Sequence, residues 1–306
     1  MQRRELLQLT ASLGLTTALP SRASPQSASA AQSVGAADSN QRPLKPPEKG
    51  QIPVAFLLSD GAVVIDFAGP WEVFEQVQLP GATPHPFNLY TVAETQSPIH
   101  AGGGGMTIVP NYTIANAPPP KIVVIPAQSE PSDAVVAWIR KVSHSTDLTM
   151  SVCTGAFVLA KTGLLAGQQA TTHHSAYSEL AMMFPNVVVK RGARFVEAGN
   201  LATSGGLSSG IDLALRVVER YFGRTVAERT ADNLEYQGLG WTNPDSNSAY
   251  ATRRVSTDAH PLCPVCEMDV DPATAPKSVY RNHVYYFCME AHKKLFDAAP
   301  DRVLAV

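Results

Sequence analysis

The chain carries a lone cysteine near its middle and three more close to its end, and both neighbourhoods have the residue types of a chemical site. Cys153 lies in the stretch DLTMSVCTGAFVLAKTGLLAGQQATTHH, residues 147–174. The apolar run at 148–152 predicts a buried strand, and the run that follows to Lys161 predicts a helix stopped by Gly163. A cysteine pinched between a strand end and a helix start, with small residues beside it, has the build of a nucleophile elbow. Amides of the helix's first turn would face the sulfur there, and the helix dipole would favour thiolate. The competing reading is a buried cysteine that serves as a small hydrophobe.

The second group begins with Cys263-Pro264-Val265-Cys266, a two-residue knuckle. A hairpin is predicted over 278–287, ending at Cys288, and a helix over 290–298 that carries His292. Cys288 and His292 are four residues apart and so share one face. Cys263, Cys266, Cys288 and His292 suit a tetrahedral metal site, and their softness admits Zn or Cu(I). Met268 and Met289 lie close to these residues in sequence and tilt the balance mildly to copper. Disulfide pairing is the competing reading, with Cys263–Cys266 the easiest of three connectivities. A module this short has little core, and a bound metal would supply folding free energy on the order of 10 kcal/mol.

The elements that must hold Cys153 read as one α/β domain over residues 51–240. Strands are predicted over 52–58, 87–93, 121–126 and 148–152, and again over 169–172, 187–190, 195–198 and 201–203. Helices are predicted from Gly69 onward, over 134–142, and after the cap at 204–209, where Ile211, Ala214, Leu215, Val218 and Phe222 fall on one face. This alternation predicts a flavodoxin-like, doubly wound and mostly parallel sheet, with ligands at the carboxyl ends of its strands. Asp66 interrupts the apolar run 63–67, where a carboxylate is costly without a partner. The four glycines at 102–105 lead into no helix and predict a hairpin turn rather than a phosphate cradle.

The segments VVIDFAGPWEVF, SVCTGAFVLAKTGLLAGQQATTHH, TSGGLSSGIDLAL and DNLEYQ resemble the ThiJ/PfpI superfamily, which is type 1 glutamine amidotransferase-like. Within it they look most like the isonitrile hydratase branch and the related domains of some AraC-type regulators. The resemblance implies that Cys153 is a nucleophile, that Asp66 is the carboxyl beside it, and that Thr154 orients water or an intermediate. His173 matches the histidine of the family's TTH segment, acting as a base or holding the structure; His174 is left unassigned. The activity implied is that of a lyase or hydrolase on a small-molecule substrate, without organic cofactor, in a protein whose relatives often form homodimers. One departure stands out: after the KIVVIP strand the family usually has Gly-Gly, and here Ala127-Gln128 occurs. Ala127 adopts a positive φ only at a cost, and Gln128 brings a bulky polar side chain. The spacing of the C-terminal ligands resembles YHS and TRASH heavy-metal modules, zinc-ribbon or treble-clef-like in build, although these generally end in Cys where this chain has His292.

The flanks complete the picture. Arg3-Arg4 before a modestly apolar run resembles a twin-arginine signal over residues 1–30, which implies export to the periplasm or beyond. Residues 31–50 and 241–259 read as linkers, and 260–306 as the metal module. The apolar run near the N-terminus is too short and too interrupted for a stable membrane span. A net charge of −2 excludes a strong field for nucleic acid. Three functions are thus in contention: a cysteine-dependent enzyme, a periplasmic Cu/Zn-binding or redox/metal-sensing protein, and, least supported, a regulator of the AraC type. The last lacks its C-terminal helix-turn-helix pair, in whose place stands the cysteine module.

Overall fold

The computed structural model describes residues 42–81 and 85–305. The expected signal segment and most of the first linker lie outside the described residues. The chain runs through β1 (Ile52–Leu57), α1 (Val64–Glu75), β2 (Phe87–Ala93), β3 (Ile99–Ala101), β4 (Met106–Ile108), β5 (Tyr112–Thr113), β6 (Ile122–Ile125) and α2 (Asp133–Ser143). It continues through β7 (Leu148–Val152), α3 (Gly155–Lys161), β8 (Gln169–Ala170), α4 (Tyr177–Met183), β9 (Val188–Val189), β10 (Phe195–Ala198) and β11 (Leu201–Ser204). Then come α5 (Ser209–Phe222), α6 (Arg224–Asn233), β12 (Lys277–Tyr280), β13 (His283–Tyr286), α7 (Glu290–Ala298) and α8 (Pro300–Ala305).

Seven strands form one sheet in the order β10-β11-β7-β6-β1-β2-β5. Every pairing is parallel except that of the edge strand β10 with β11. The central strands are continuous apolar runs because both faces are covered, as a parallel sheet requires. Side chains alternate between two cores: Val54, Phe56, Ile122, Val124, Met150 and Val152 pack with α1 and α5, while Ala55, Leu57, Val123 and Ile125 pack with α2 and α3. Chain order reverses between β1 and β6, so the segments after β1, β6, β7 and β11 converge at the carboxyl ends of the strands, where such folds bind ligands.

Several local expectations shift. The first helix begins at Val64 rather than Gly69, with Pro70 inside it, so Asp66 sits in a helical first turn. An acid there interacts favourably with the helix dipole. The strand expected at 169–172 shortens to two residues and pairs with β9 outside the main sheet. The glycine run does make a hairpin: β3 and β4 pair antiparallel, with Gly102 at φ 58° and Gly104 at φ 90°. The stretch 241–259 is packed against its surroundings: Trp241 is buried, and the Tyr250 ring stacks on His174 with centroids 4.2 Å apart.

At the C-terminal end β12 and β13 form the expected hairpin, turning through Arg281 and Asn282, both with positive φ. Its small core holds Cys263, Val265, Cys266, Phe287, Phe296 and Val303, and Met182 of α4 packs against it. Arg302 Nη2 donates to the Ala181 carbonyl at 3.1 Å, a further tie to α4. The described residues all fall in one compact unit. No helix among the described residues is long and apolar enough to cross a membrane.

Candidate active site and metal centre

Cys153 has φ 58°, a left-handed conformation that is uncommon for a residue with a Cβ. Two hydrogen bonds clamp it: its N–H donates to the Gly205 carbonyl at 3.0 Å, and Thr172 Oγ1 donates to its own carbonyl at 2.9 Å. The next turn is jammed against the end of β6, since a Cβ on Gly155 would lie 2.2 Å from the Ile125 carbonyl oxygen. The sulfur accepts hydrogen bonds from the amides of Thr154 and Leu207 and from the Thr154 hydroxyl. Strained backbone held by its surroundings is the form expected of a nucleophile elbow.

Asp66 is fully buried beside this sulfur. Its Oδ2 accepts from the Ala127 amide at 3.1 Å, and its carboxyl also takes hydrogen bonds from the Cys153 thiol and the Leu207 amide. Oδ1 has no nitrogen or oxygen partner. Burial pushes the Asp66 carboxyl up to about 6, against the lowering effect of those hydrogen bonds. Burial, and then the Asp66 charge, push the Cys153 thiol up to about 11. Burial and the neighbouring carboxyl thus work against the thiolate expected from the helix dipole. Cys153 is 7% exposed, and the desolvation of its anion outweighs the amides of a seven-residue helix.

The departure at 127–128 has a simple geometry. Ala127 is outside the left-handed region, so its Cβ costs no strain, and its amide is committed to Asp66. Gln128 Oε1 accepts from the Ser59 amide at 2.6 Å and the Ser59 hydroxyl at 3.1 Å. Gln128, Thr154, Phe157, Lys161, Glu179 and Met183 line a cavity of about 370 Å³ beside the elbow. His173 makes no hydrogen bond to Cys153 or Asp66 among the described residues. Its Nδ1 takes the Ser175 amide and pairs with the Ser175 hydroxyl, and burial lowers its pKa. Its ring lies against Gly206, where a Cβ would come within 2.1 Å, so it braces the loop that presents the Leu207 amide.

At the other end of the molecule the ligand atoms of Cys263, Cys266, Cys288 and His292 all lie within 4.8 Å of one another. Cys266 Sγ is 3.4 Å from Cys288 Sγ, and His292 Nδ1 is 3.2 Å from Cys288 Sγ and 3.5 Å from Cys263 Sγ. Zinc–sulfur and zinc–nitrogen bonds of about 2.3 and 2.0 Å at tetrahedral angles imply ligand separations of roughly 3.5–3.8 Å. These three separations are within a few tenths of an ångström of that range, the remaining pairs lie within 4.8 Å, and all four cysteines of the chain are free rather than disulfide-bonded. Hydrogen bonds from Cys266 and His292 hold the Cys263 thiol well below its usual range, and this thiolate in turn raises His292. The knuckle closes through Glu267, at φ 61°, whose carboxylate pairs with Arg191 at 2.7 Å.

Three contributors escaped the sequence reading. The Leu207 amide serves both Cys153 and Asp66 from a loop at φ 53°, Gly155 permits the close approach of α3, and Glu179 faces His292 from α4. The glycine was readable as a small residue after the elbow, but nothing in the sequence pairs the other two with their partners.

The sequence profile of the DJ-1/PfpI family matches residues 53–220, more than half of the chain. The chain belongs to the DJ-1/PfpI family. Within this DJ-1/PfpI span lie Asp66, Cys153, Thr154 and His173, whereas the Cys/His cluster is wholly outside it. The chain is 31% identical over 188 residues to "isonitrile hydratase" of Pseudomonas putida, a match that covers 60% of this chain and 78% of that protein. The crystal structure of a ThiJ/PfpI family protein from Pseudomonas syringae superposes with a TM-score of 0.53 at 27% identity, covering 62% of this chain and 76% of the other. "HTH-type transcriptional regulator GbdR" of Pseudomonas aeruginosa is 23% identical over 201 residues, 64% of this chain and 54% of the regulator. The chain thus spans about half the length of that regulator.

Proposed function

We propose that this chain is a cysteine-dependent hydratase or hydrolase acting on a small electrophilic carbon, of the kind named for its Pseudomonas putida relative. The observation that carries this reading is the Cys153–Asp66 pair, a strained cysteine hydrogen-bonded to a buried carboxyl that keeps one oxygen unpartnered. As Sγ adds to the carbon, Asp66 takes the thiol proton, for which a carboxyl raised to about 6 is well matched. The protonated carboxyl can return that proton to the substrate as charge develops there. Water, oriented by Thr154, then adds to that carbon; one of its protons passes to the substrate nitrogen and the other to the departing sulfur as the S–C bond breaks, which restores the thiol. For an isonitrile the sum is addition of water to give an N-substituted formamide. The test is formamide production from a small alkyl isonitrile by wild type, Cys153→Ala and Asp66→Asn. Both variants are expected to lose at least about a hundredfold in rate. Undiminished turnover by Cys153→Ala would rule out the nucleophile.

The compact Cys/His cluster favours a second role alongside the first: the C-terminal module, similar to YHS and TRASH modules, holds one Zn or Cu(I). The Arg3-Arg4 signature supports export, so that the protein would handle or sense metal in the periplasm. Freshly purified protein is expected to carry about one such ion per chain. Metal-free protein that also fails to take up either ion would remove this reading.

A further inference from the structure

Arg194 stands one residue before β10, and its half-buried guanidinium is shared among three segments of the chain. Nε donates to Asp212 Oδ2 of α5 at 2.5 Å, Nη1 to Asn247 Oδ1 at 3.2 Å, and Nη2 to the Ser208 hydroxyl at 3.0 Å. Its main chain is tied as well: the carbonyl accepts from the Gly205 amide at 2.9 Å, and the N–H donates to the Pro244 carbonyl. Asp212 is fully buried and also takes the Tyr236 hydroxyl at 3.0 Å and the Trp241 amide at 2.9 Å, so the anchor is itself fixed. What the guanidinium reaches is the loop 205–208. Gly205 gives its carbonyl to the Cys153 N–H, and Leu207 gives its amide to Cys153 and Asp66. A left-handed leucine that is 44% exposed gains little from its own packing, so something else must hold it at φ 53°. Ser208 stands at the N-cap of α5, where a serine hydroxyl ordinarily accepts from the helix's own amides. Here its side chain makes no cap bond and accepts from Arg194 instead. Pro244 and Asn247 lie beyond the family span, which ends at residue 220.

We propose that Arg194 is a positioning residue of the Cys153 site: braced by Asp212 and by Asn247 of the segment beyond the family span, it holds Ser208 and with it the Leu207 amide that faces Cys153 and Asp66. This rests on Cys153 and Asp66 being the reacting pair. Arginine suits the place because its planar fork serves several acceptors in fixed directions, which a lysine ammonium cannot match. As negative charge grows on the sulfur or the carboxyl, the amide is already aimed, and no loop has to reorganise during the reaction. The stretch that carries Pro244 and Asn247 is then part of the framework of the site rather than a passive connection to the module.

The experiment follows alkylation of Cys153 by iodoacetamide against pH in the full chain, scored at the Cys153 peptide. Ionisation of Asp66 is expected to put a step in that profile near pH 6, because its charge opposes the thiolate. Cys153 is the titratable group that hydrogen-bonds Asp66, the other partners being the Ala127 and Leu207 amides. His173 braces the same loop at Gly206 and is titratable too, so the step is assigned to Asp66 by its loss in Asp66→Asn. The Leu207 amide lowers the Asp66 carboxyl, so a loop that drifts away moves the step upward. A change in access alone scales the rates and leaves the step in place. Ser208→Ala is expected to raise the midpoint by about half a pH unit. It is also expected to lower kcat for a small alkyl isonitrile by about tenfold with little change in KM. Ser208→Thr keeps a hydroxyl and is expected to return both toward wild type. Asn247→Ala is expected to shift the midpoint the same way by less, and Arg194→Lys, which keeps a charge beside Asp212, by more. An unmoved midpoint in folded Ser208→Ala overturns the proposal, whether or not Arg194→Lys folds. A wild type that does not hydrate the isonitrile removes that reaction, while the midpoints still decide the role of Arg194. A wild-type profile with no step that Asp66→Asn abolishes removes the Cys153–Asp66 reading and this proposal together.

Discussion

Cys153 stands alone on a sheet of seven strands, with a neighbour on every side that would be in place whether or not a substrate arrives. Cys263, Cys266, Cys288 and His292 converge in a module whose small core includes two of those same cysteines. In the first region sterics and backbone hydrogen bonds position the sulfur: Gly155 against the Ile125 carbonyl, and Thr172 and Gly205 on the Cys153 backbone. In the second, polar groups that gain little from burial are gathered where an ion would satisfy all of them at once. The contrast is between a site held in place by its own packing and a cluster that a bound ion would stabilise.

The largest effect should come from the module. Cys288→Ser is expected to abolish stoichiometric zinc binding and to open residues 260–305 to limited proteolysis, because bound zinc contributes on the order of 10 kcal/mol to such modules. Protection of the hairpin in the zinc-free variant would erase the contrast between the regions. Next is Gly155→Ala, whose Cβ would lie 2.2 Å from one carbonyl oxygen and 2.7 Å from another. Urea denaturation of the α/β domain is expected to show a loss of about 3 kcal/mol, the upper end for overpacking.

A smaller effect follows from Asp66. Its carboxyl is raised from 3.8 to about 6 in the folded chain, so its contribution to stability is fully present below pH 3.8 and is lost as pH rises through 6. Asp66→Asn is therefore expected to be more stable than wild type at pH 8, by an amount on the order of 2 kcal/mol, and no more stable near pH 4. Removing the carboxylate charge should also speed alkylation of Cys153 at pH 8 even as turnover falls. An unchanged pH–stability difference would show that Asp66 is better solvated than its burial indicates. The smallest effect is expected at the exposed Arg254–Asp269 pair, 3.2 Å apart: Arg254→Ala should cost under about 0.5 kcal/mol by thermal melting. A larger loss there would mean that surface charge, not an ion, holds the module.

Much of this was legible in short stretches of sequence. The runs IPVAFL, IVVI and LTMSV announce buried strands, Cys153 sits between the last of them and a helix, and the knuckle with Cys288 and His292 gives four ligands at workable spacing. Asp66 was visible as an anomaly, but Pro70 disguised the helix that carries it, since proline usually marks a helix start rather than its interior. The brace of His173 on Gly206 and the double service of the Leu207 amide depend on loops from different strands meeting, which no local pattern encodes.

Sequence alone determined the sheet, the elbow and the candidate Cys/His set, because each strand, the elbow and each half of that set is written in residues that are near neighbours along the chain. Tertiary structure alone decided that burial raises the Cys153 thiol, that Asp66 lies buried beside it, and that Glu179 faces His292. The reason is physical: ionisation depends on how much water and charge surround a group from every direction, and those surroundings exist only after distant segments have packed.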